Sequence, residues 1–125
     1  SAIKSKTTKQ TVPNVMGQSI KQASDDLTKA GFRVAVVGSN GKVTEQSLLP
    51  QQKSLTNQLV ILTAKGNTHL PDMTGWSLTD AQAFAHAAGF DLTWSGSGYV
   101  TRQLTPKDQL VVGNSKVAIE LKEKQ

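Results

Sequence analysis

The sequence says one thing twice. Residues 12–32 read "VPNVMGQSIKQASDDLTKAGF" and residues 70–90 read "LPDMTGWSLTDAQAFAHAAGF", with Pro, Gly, Ser, Ala and Gly-Phe recurring at a constant offset of 58. In a chain of 125 residues this spacing leaves room for two units of one kind and little else. Units of about 55–60 residues bury only about 60% of their unfolded surface, so each core has to be small. The division expected is a polar tail over residues 1–10, a first unit over 11–65 and a second over 66–125.

The first copy sets out a local grammar. Val12-Pro13-Asn14-Val15 should be extended, because Pro13 pushes its predecessor out of the helical region. Gly17 provides a turn, Ser19 stands where a helix N-cap belongs, and Gln22 three residues on has capping-box spacing. Ile20, Ala23, Leu27 and Ala30 then recur at helical intervals as one apolar stripe. Gly31 is the expected left-handed residue just past the helix end. Beyond it Phe32, Val34 and Val36 alternate with Arg33 and Ala35, the period of a strand. "GSNG" (38–41) turns, and Val43–Leu48 and Leu59–Leu62 supply two further strands.

The second copy repeats these steps. Leu70-Pro71-Asp72-Met73 is extended, Gly75 turns, Ser77 caps with Asp80 at the third helical position, and Leu78, Ala81, Ala85 and Ala88 form the stripe that Gly89 ends. Phe90, Leu92 and Trp94 alternate, "GSG" (96–98) turns with one residue fewer, and Val100–Leu104 and Val117–Leu121 complete the sheet. The expected fold class is α+β: two tandem small domains, each one α-helix packed on a three-stranded, largely antiparallel β-sheet. Only Lys65-Gly66-Asn67-Thr68-His69 would connect them.

Composition removes several function classes. No run of about 18 apolar residues is present, so no transmembrane helix is expected. "SAIKSKTTKQ" has no apolar core of the kind a signal peptide carries. Cysteine is absent, which excludes disulfides and thiolate metal sites. The net charge of +5 divides unevenly: residues 1–65 hold nine Lys/Arg against three Asp/Glu, and residues 66–125 hold five against six, giving +6 and −1. A basic half suggests an anionic partner such as nucleic acid, wall polymer or lipid headgroup. The few aromatics are not interleaved with the basic residues, so there is no base-stacking platform and no nucleic-acid partner is expected.

The pattern "VPNVMGQS…A…L…AGF…V", followed by a glycine turn and a closing strand, resembles the PASTA repeat over residues 12–63 and again over 70–121. That resemblance implies modules outside the bacterial cell, on the tails of penicillin-binding proteins and of serine/threonine kinases. "LPDMTGWS" in the second copy resembles the C-terminal pair of a division-type (class B) penicillin-binding transpeptidase. By this resemblance the parent is anchored in the outer face of the membrane at the division site of a Gram-positive bacterium, with the present stretch a soluble part of it. The implied work is to position the transpeptidase in septal peptidoglycan synthesis. The implied partners are the transpeptidase domain of the same chain and uncrosslinked peptidoglycan or a muropeptide. The alternative is a muropeptide-sensing segment of a serine/threonine kinase.

Chemistry is hard to find in the chain. His69 falls in the expected link and His86 on a helix face, and neither has sequence neighbours that suggest a triad or a metal site. Ser1-Ala2-Ile3-Lys4 matches S-x-x-K and Lys6-Thr7-Thr8 echoes K-T-G, but a polar tail cannot bury a nucleophile at the start of a helix. No phosphate-binding G-x-x-x-x-G-K-[ST] occurs, and the glycines shared by the copies fall at a turn and a helix end. No catalytic residue, no metal and no cofactor is expected.

Function is better sought where the copies differ. Lys21, Asp25, Asp26 and Lys29 on the first helix become Thr79, Ala83, Phe84 and Ala87 on the second, Leu27 becomes Ala85, and Gln18 becomes Trp76. Two accounts fit. In one, Phe84 or Trp94 turns inward to fill the space that Ala85 vacates. In the other, Trp76, Ala83, Phe84 and Ala87 form a docking face for the other repeat or for the enzyme body. The glycine-turn edge of the sheet offers a second candidate surface: Trp94, Tyr99 and Arg102 in the second copy, Arg33 and Lys42 in the first. Aromatic faces stack on sugar rings and Arg pairs with carboxylates. With the resemblance, these five become the candidate wall-ligand contacts.

Overall fold

In the computed structural model, residues 8–123 are described. The chain divides into two compact units that meet in sequence at Lys65 and Gly66, with Val37–Ser39 grouping with the second. The first unit holds β1 (Lys9–Thr11), α1 (Ile20–Lys29), β2 (Arg33–Val37), β3 (Asn40–Gln46), β4 (Lys53–Leu55) and β5 (Leu59–Lys65). The second holds β6 (Thr68–His69), α2 (Leu78–Ala88), β7 (Asp91–Ser95), β8 (Tyr99–Gln103), β9 (Leu110–Val111) and β10 (Lys116–Lys122). Each is one helix on a three-stranded mixed sheet, with a separate two-stranded ribbon.

Lys9 and Gln10, expected in the tail, are the start of β1, which pairs antiparallel with β4. The Thr8 carbonyl accepts from the Thr56 amide at 2.8 Å, so backbone pairing rather than apolar burial holds this polar stretch. The S-x-x-K echo at Ser1–Lys4 lies outside the described residues. The expected connection is also shorter than the sequence suggests. β5 runs through Lys65, and Thr68-His69 pairs with Leu110-Val111, which leaves Gly66-Asn67 between strands.

The repeated residues do the same work in both units. Ser19 Oγ accepts from the Gln22 amide at 3.2 Å, and Ser77 Oγ from the Asp80 amide at 3.1 Å. Each cap satisfies a helix N–H that would otherwise lack a partner. The reciprocal half of a capping box does not form on α1, because Gln22 Nε2 donates to Asp26 Oδ1 instead. At the other end Gly31 and Gly89 take φ of +96° and +83°. The following Phe amides reach back to the Leu27 and Ala85 carbonyls at 3.0 and 3.1 Å. This is a Schellman closure, and it aims Phe32 and Phe90 into the cores.

Both sheets place their last long strand in the middle, in the orders β2-β5-β3 and β7-β10-β8. β10 runs parallel to β7 and antiparallel to β8. The glycine turns therefore join outer strands and pass over the end of the central one. The Pro-x-x-x-Gly segments lie along the far edges of β3 and β8. Gly17 and Gly75 donate to the Val43 and Val100 carbonyls at 2.8 Å, and those two valines donate back to Gln18 and Trp76. Ser19 and Ser77 extend the contact as single bridges to Lys42 and Tyr99.

Apolar burial then closes each unit. The first core is Val12, Val15, Ala23, Leu27, Phe32, Val43, Val60 and Leu62. A side chain such as Leu27, fully buried, contributes about 1.5–3 kcal/mol relative to its exposed state. In the second unit α2 buries Ala81, Phe84 and Ala85. Leu70, Met73 and Trp76 are buried in the same unit, as are Val117, Ile119 and Leu121 of β10.

Candidate functional site

The helix α2 and the β7–β8 sheet edge were the two surfaces singled out by sequence. Of the four expected docking residues, Phe84 is completely buried and Trp76 nearly so. Their rings meet edge to face at 6.0 Å, and Phe84 tilts against Phe90 at the same distance. Phe84 thus fills the volume that Ala85 gives up relative to Leu27. The four residues do not form one outward face: Trp76 and Phe84 are packing residues, and Ala83 and Ala87 are exposed.

What stays outward on α2 is uncharged where α1 is charged. Thr79, Ala83 and Ala87 are exposed at the positions of Lys21, Asp25 and Lys29. On α1, Lys21 and Asp25 pair at 3.3 Å across one turn. The inward exchange has its own mark in the first unit. Gln18, the counterpart of Trp76, keeps a buried Oε1 with no hydrogen-bond partner among the described residues.

The five candidate wall contacts do not converge. Arg33 starts β2 at the end remote from the glycine turn, and its Nε donates to the Asn57 carbonyl at 2.7 Å. Asn57 is left-handed at φ +69°, so Arg33 ties down a strained turn. Lys42 is exposed on β3 beside the α1 N-cap. Trp94 is opposite buried Ile119 in register, so its indole stands at the rim of the helix-facing side. Tyr99 and Arg102 are opposite Lys122 and Glu120, on the other face. Arg102 Nη2 meets Glu120 Oε2 at 3.0 Å, a surface pair of at most about 1 kcal/mol. Only Tyr99 and Arg102 share a face.

Two residues that sequence reading passed over organise the site's surroundings. Gln46 is buried, takes the Val15 amide on Oε1, and donates through Nε2 to the Pro13 and Leu48 carbonyls. Gln103 receives the Met73 amide and donates to the Thr105 carbonyl. Each glutamine clips the Pro-x-x-x-Gly segment to its sheet. They stand 57 apart rather than 58, because the second glycine turn is one residue shorter. Gln103 also lines a shallow depression with Asp72, Thr74, Pro106 and Lys107. The Asp72 carboxyl, exposed at the surface, is held below its ordinary pKa chiefly by the Thr74 amide, then by the Thr74 hydroxyl, with the Lys107 charge adding and slight desolvation opposing. Among the described residues no three His, Asp or Glu side chains come together as a metal site. No helix among them is long and apolar enough to cross a membrane.

Two small helix-on-sheet units, repeated in tandem, define a modular class of protein. The PASTA domain family matches residues 10–65 and again 68–123, and the chain belongs to that family as a tandem pair. PASTA domains are non-catalytic, extracytoplasmic modules found in penicillin-binding proteins and serine/threonine kinases. Among solved structures the chain is similar to Penicillin Binding Protein 2X from Streptococcus thermophilus. That match has 23% identity and a TM-score of 0.73 and covers 91% of this chain but 17% of that one. It is also similar to the three-PASTA-domain of a Ser/Thr kinase from Staphylococcus aureus, with 17% identity, a TM-score of 0.41, and 93% and 66% of the two chains covered. A third similar structure is the extra-cellular region of the Ser/Thr kinase PrkC from Staphylococcus aureus, at 20% identity, a TM-score of 0.38, and 94% and 49% coverage. No curated protein matches the sequence significantly.

Proposed function

We propose that this pair is the non-catalytic, extracytoplasmic end of a division-type penicillin-binding protein, positioning its transpeptidase during septal peptidoglycan synthesis in a Gram-positive bacterium. Family membership supports the reading, together with the second copy's "LPDMTGWS" and a fold shared with a penicillin-binding protein. The observation that carries the docking role is the outward face of α2. Interface centres are depleted of charge, and Thr79, Ala83 and Ala87 have replaced Lys21, Asp25 and Lys29 there. Docking is favoured over ligand capture because Arg33, Lys42, Trp94, Tyr99 and Arg102 are dispersed. Contact with uncrosslinked peptidoglycan is secondary in this reading.

The coding sequence around this segment tests the parent: a transpeptidase domain supports the proposal, and a kinase domain replaces it. Docking is tested by mapping amide shifts of the chain on adding that transpeptidase domain. Shifts confined to the outward face of α2, and lost in Ala83→Glu, are expected. Shifts elsewhere, or none, overturn the docking role.

A further inference from the structure

The second unit has an open sheet edge. β7 ends the order β7-β10-β8, and nothing among the described strands pairs with its outer side. The other edge, β8, is covered by the Ser77 bridge and the Gly75 hydrogen bond. Four of the five β7 residues, Asp91, Thr93, Trp94 and Ser95, are exposed, whereas Ala35 in the counterpart β2 is buried and the rest of β2 is half-buried. Natural edges are usually blunted by lysine, proline or a bulge. "DLTWS" has no lysine or proline, and its pairing with β10 runs without a register shift.

Register fixes which groups are free. The Asp91 amide donates inward to the Ser115 carbonyl at 2.8 Å. Alternation then turns the Thr93 and Ser95 backbone groups toward β10, and the N–H and C=O of Leu92 and Trp94 away from the sheet. Two such edges are complementary to each other.

We propose that β7 pairs antiparallel with β7 of a second copy, about a two-fold axis at Thr93. In that register the Leu92 N–H donates to the partner's Trp94 carbonyl and the Leu92 carbonyl accepts from the partner's Trp94 amide, with the same exchange across the axis. Trp94 of one copy lies over Leu92 of the other on the helix-facing side, an aromatic–aliphatic cross-strand pair. Thr93 faces its own copy in the close, non-hydrogen-bonded pairing, and Asp91 faces Ser95, so no like charges oppose. A one-residue slip would bring Asp91 opposite Trp94 or Gly96 and turn paired backbone groups away, which is why the register is specific. The surface is short, and the association is correspondingly weak.

Sedimentation of the 125-residue chain at increasing concentration, up to about 1 mM, tests this. A concentration-dependent dimer is expected. Trp94→Lys, at a half-exposed position, should weaken it by about tenfold or more while the chain stays folded by circular dichroism. The chain has no cysteine of its own, so Thr93→Cys adds a single probe. Non-hydrogen-bonded antiparallel neighbours stand about 4.5 Å apart at Cα, within disulfide reach. Thr93→Cys should oxidise to a covalent dimer faster than Thr101→Cys on β8. A chain that stays monomeric, a dimer indifferent to Trp94→Lys, or a Thr93→Cys that oxidises no faster than Thr101→Cys overturns the pairing and leaves the edge to a strand from another protein.

Discussion

Phe84 meets Trp76 edge to face, with centroids 6.0 Å apart and ring planes at 83°. The two rings replace Asp26 and Gln18 of the first copy, and their arrival coincides with the shrinkage of Leu27 to Ala85. The large core residue of the helix has moved one position along the chain. The second unit therefore keeps the fold of the first with a differently built interior.

Phe84→Ala should cost the second unit about 3–5 kcal/mol, the range for deleting a buried aromatic ring. A unit of this size holds only about 3–5 kcal/mol in all, so it should be largely unfolded at room temperature. Both tryptophans, Trp76 and Trp94, lie in the second unit, so intrinsic fluorescence follows it alone. A urea transition by tryptophan fluorescence that barely moves would show that Phe84 is not core.

Gln46→Ala should destabilise the first unit by about 1–3 kcal/mol, because the Val15 amide and the Pro13 and Leu48 carbonyls lose their partner together. Circular dichroism should record the loss, and the tryptophan signal of the second unit should stay where it was. Gln46→Glu is the sharper variant. It keeps the acceptor for Val15 but has no donor for the two carbonyls, and it should be no better than alanine.

How far the chain could be read in advance follows from the range of each interaction. Ser19, Gly31 and Phe32 act within a few residues of themselves, and their pattern carried the helix, its ends and the next strand. Gln46 acts on Pro13, 33 positions away, and nothing near it in sequence announces that. The orientation of α2 was also hidden. Ala81, Ala83, Ala85, Ala87 and Ala88 surround Phe84, so periodicity could not say whether the ring faced in or out. The candidate wall contacts dispersed for a related reason. Successive strand residues alternate faces, and only the register shift at Glu120/Leu121 brings Tyr99 and Arg102, three apart, to the same one. The placement of β10 between β7 and β8 is a long-range pairing that strand periodicity does not encode.

Gly96→Ala and Gly89→Ala separate two costs that glycine hides. Both residues have positive φ, +82° and +83°. A Cβ on Gly89 would meet nothing within 4 Å, so alanine there costs only the left-handed backbone, about 1–2 kcal/mol. A Cβ on Gly96 would lie 2.2 Å from the Leu121 carbonyl oxygen, where the turn crosses the end of β10. Backbone cannot yield cheaply, so Gly96→Ala should lower the second unit's thermal midpoint clearly more than Gly89→Ala. Equal losses would mean that the turn does not press on β10.

Asp72 ties the second unit to pH. Its Oδ1 accepts from the Thr74 amide at 3.0 Å, as Asn14 Oδ1 does from Met16 at 3.2 Å in the first unit. The charged form is favoured by that bond first, by the Thr74 hydroxyl next and by Lys107 last, so the folded pKa lies below the ordinary 3.8. A depressed folded pKa means that the unfolded chain takes the proton first. The contribution is complete above the unfolded pKa and is lost as pH falls through the folded one. The effect thus belongs to the acid limb below about pH 4, and it is absent from the neutral range. NMR titration of the Asp72 carboxyl should give a midpoint below the ordinary 3.8. Asp72→Asn, which keeps an acceptor like that of Asn14, should flatten the second unit's acid dependence and change little at pH 7. A midpoint at the ordinary value would remove the Thr74 amide as its cause.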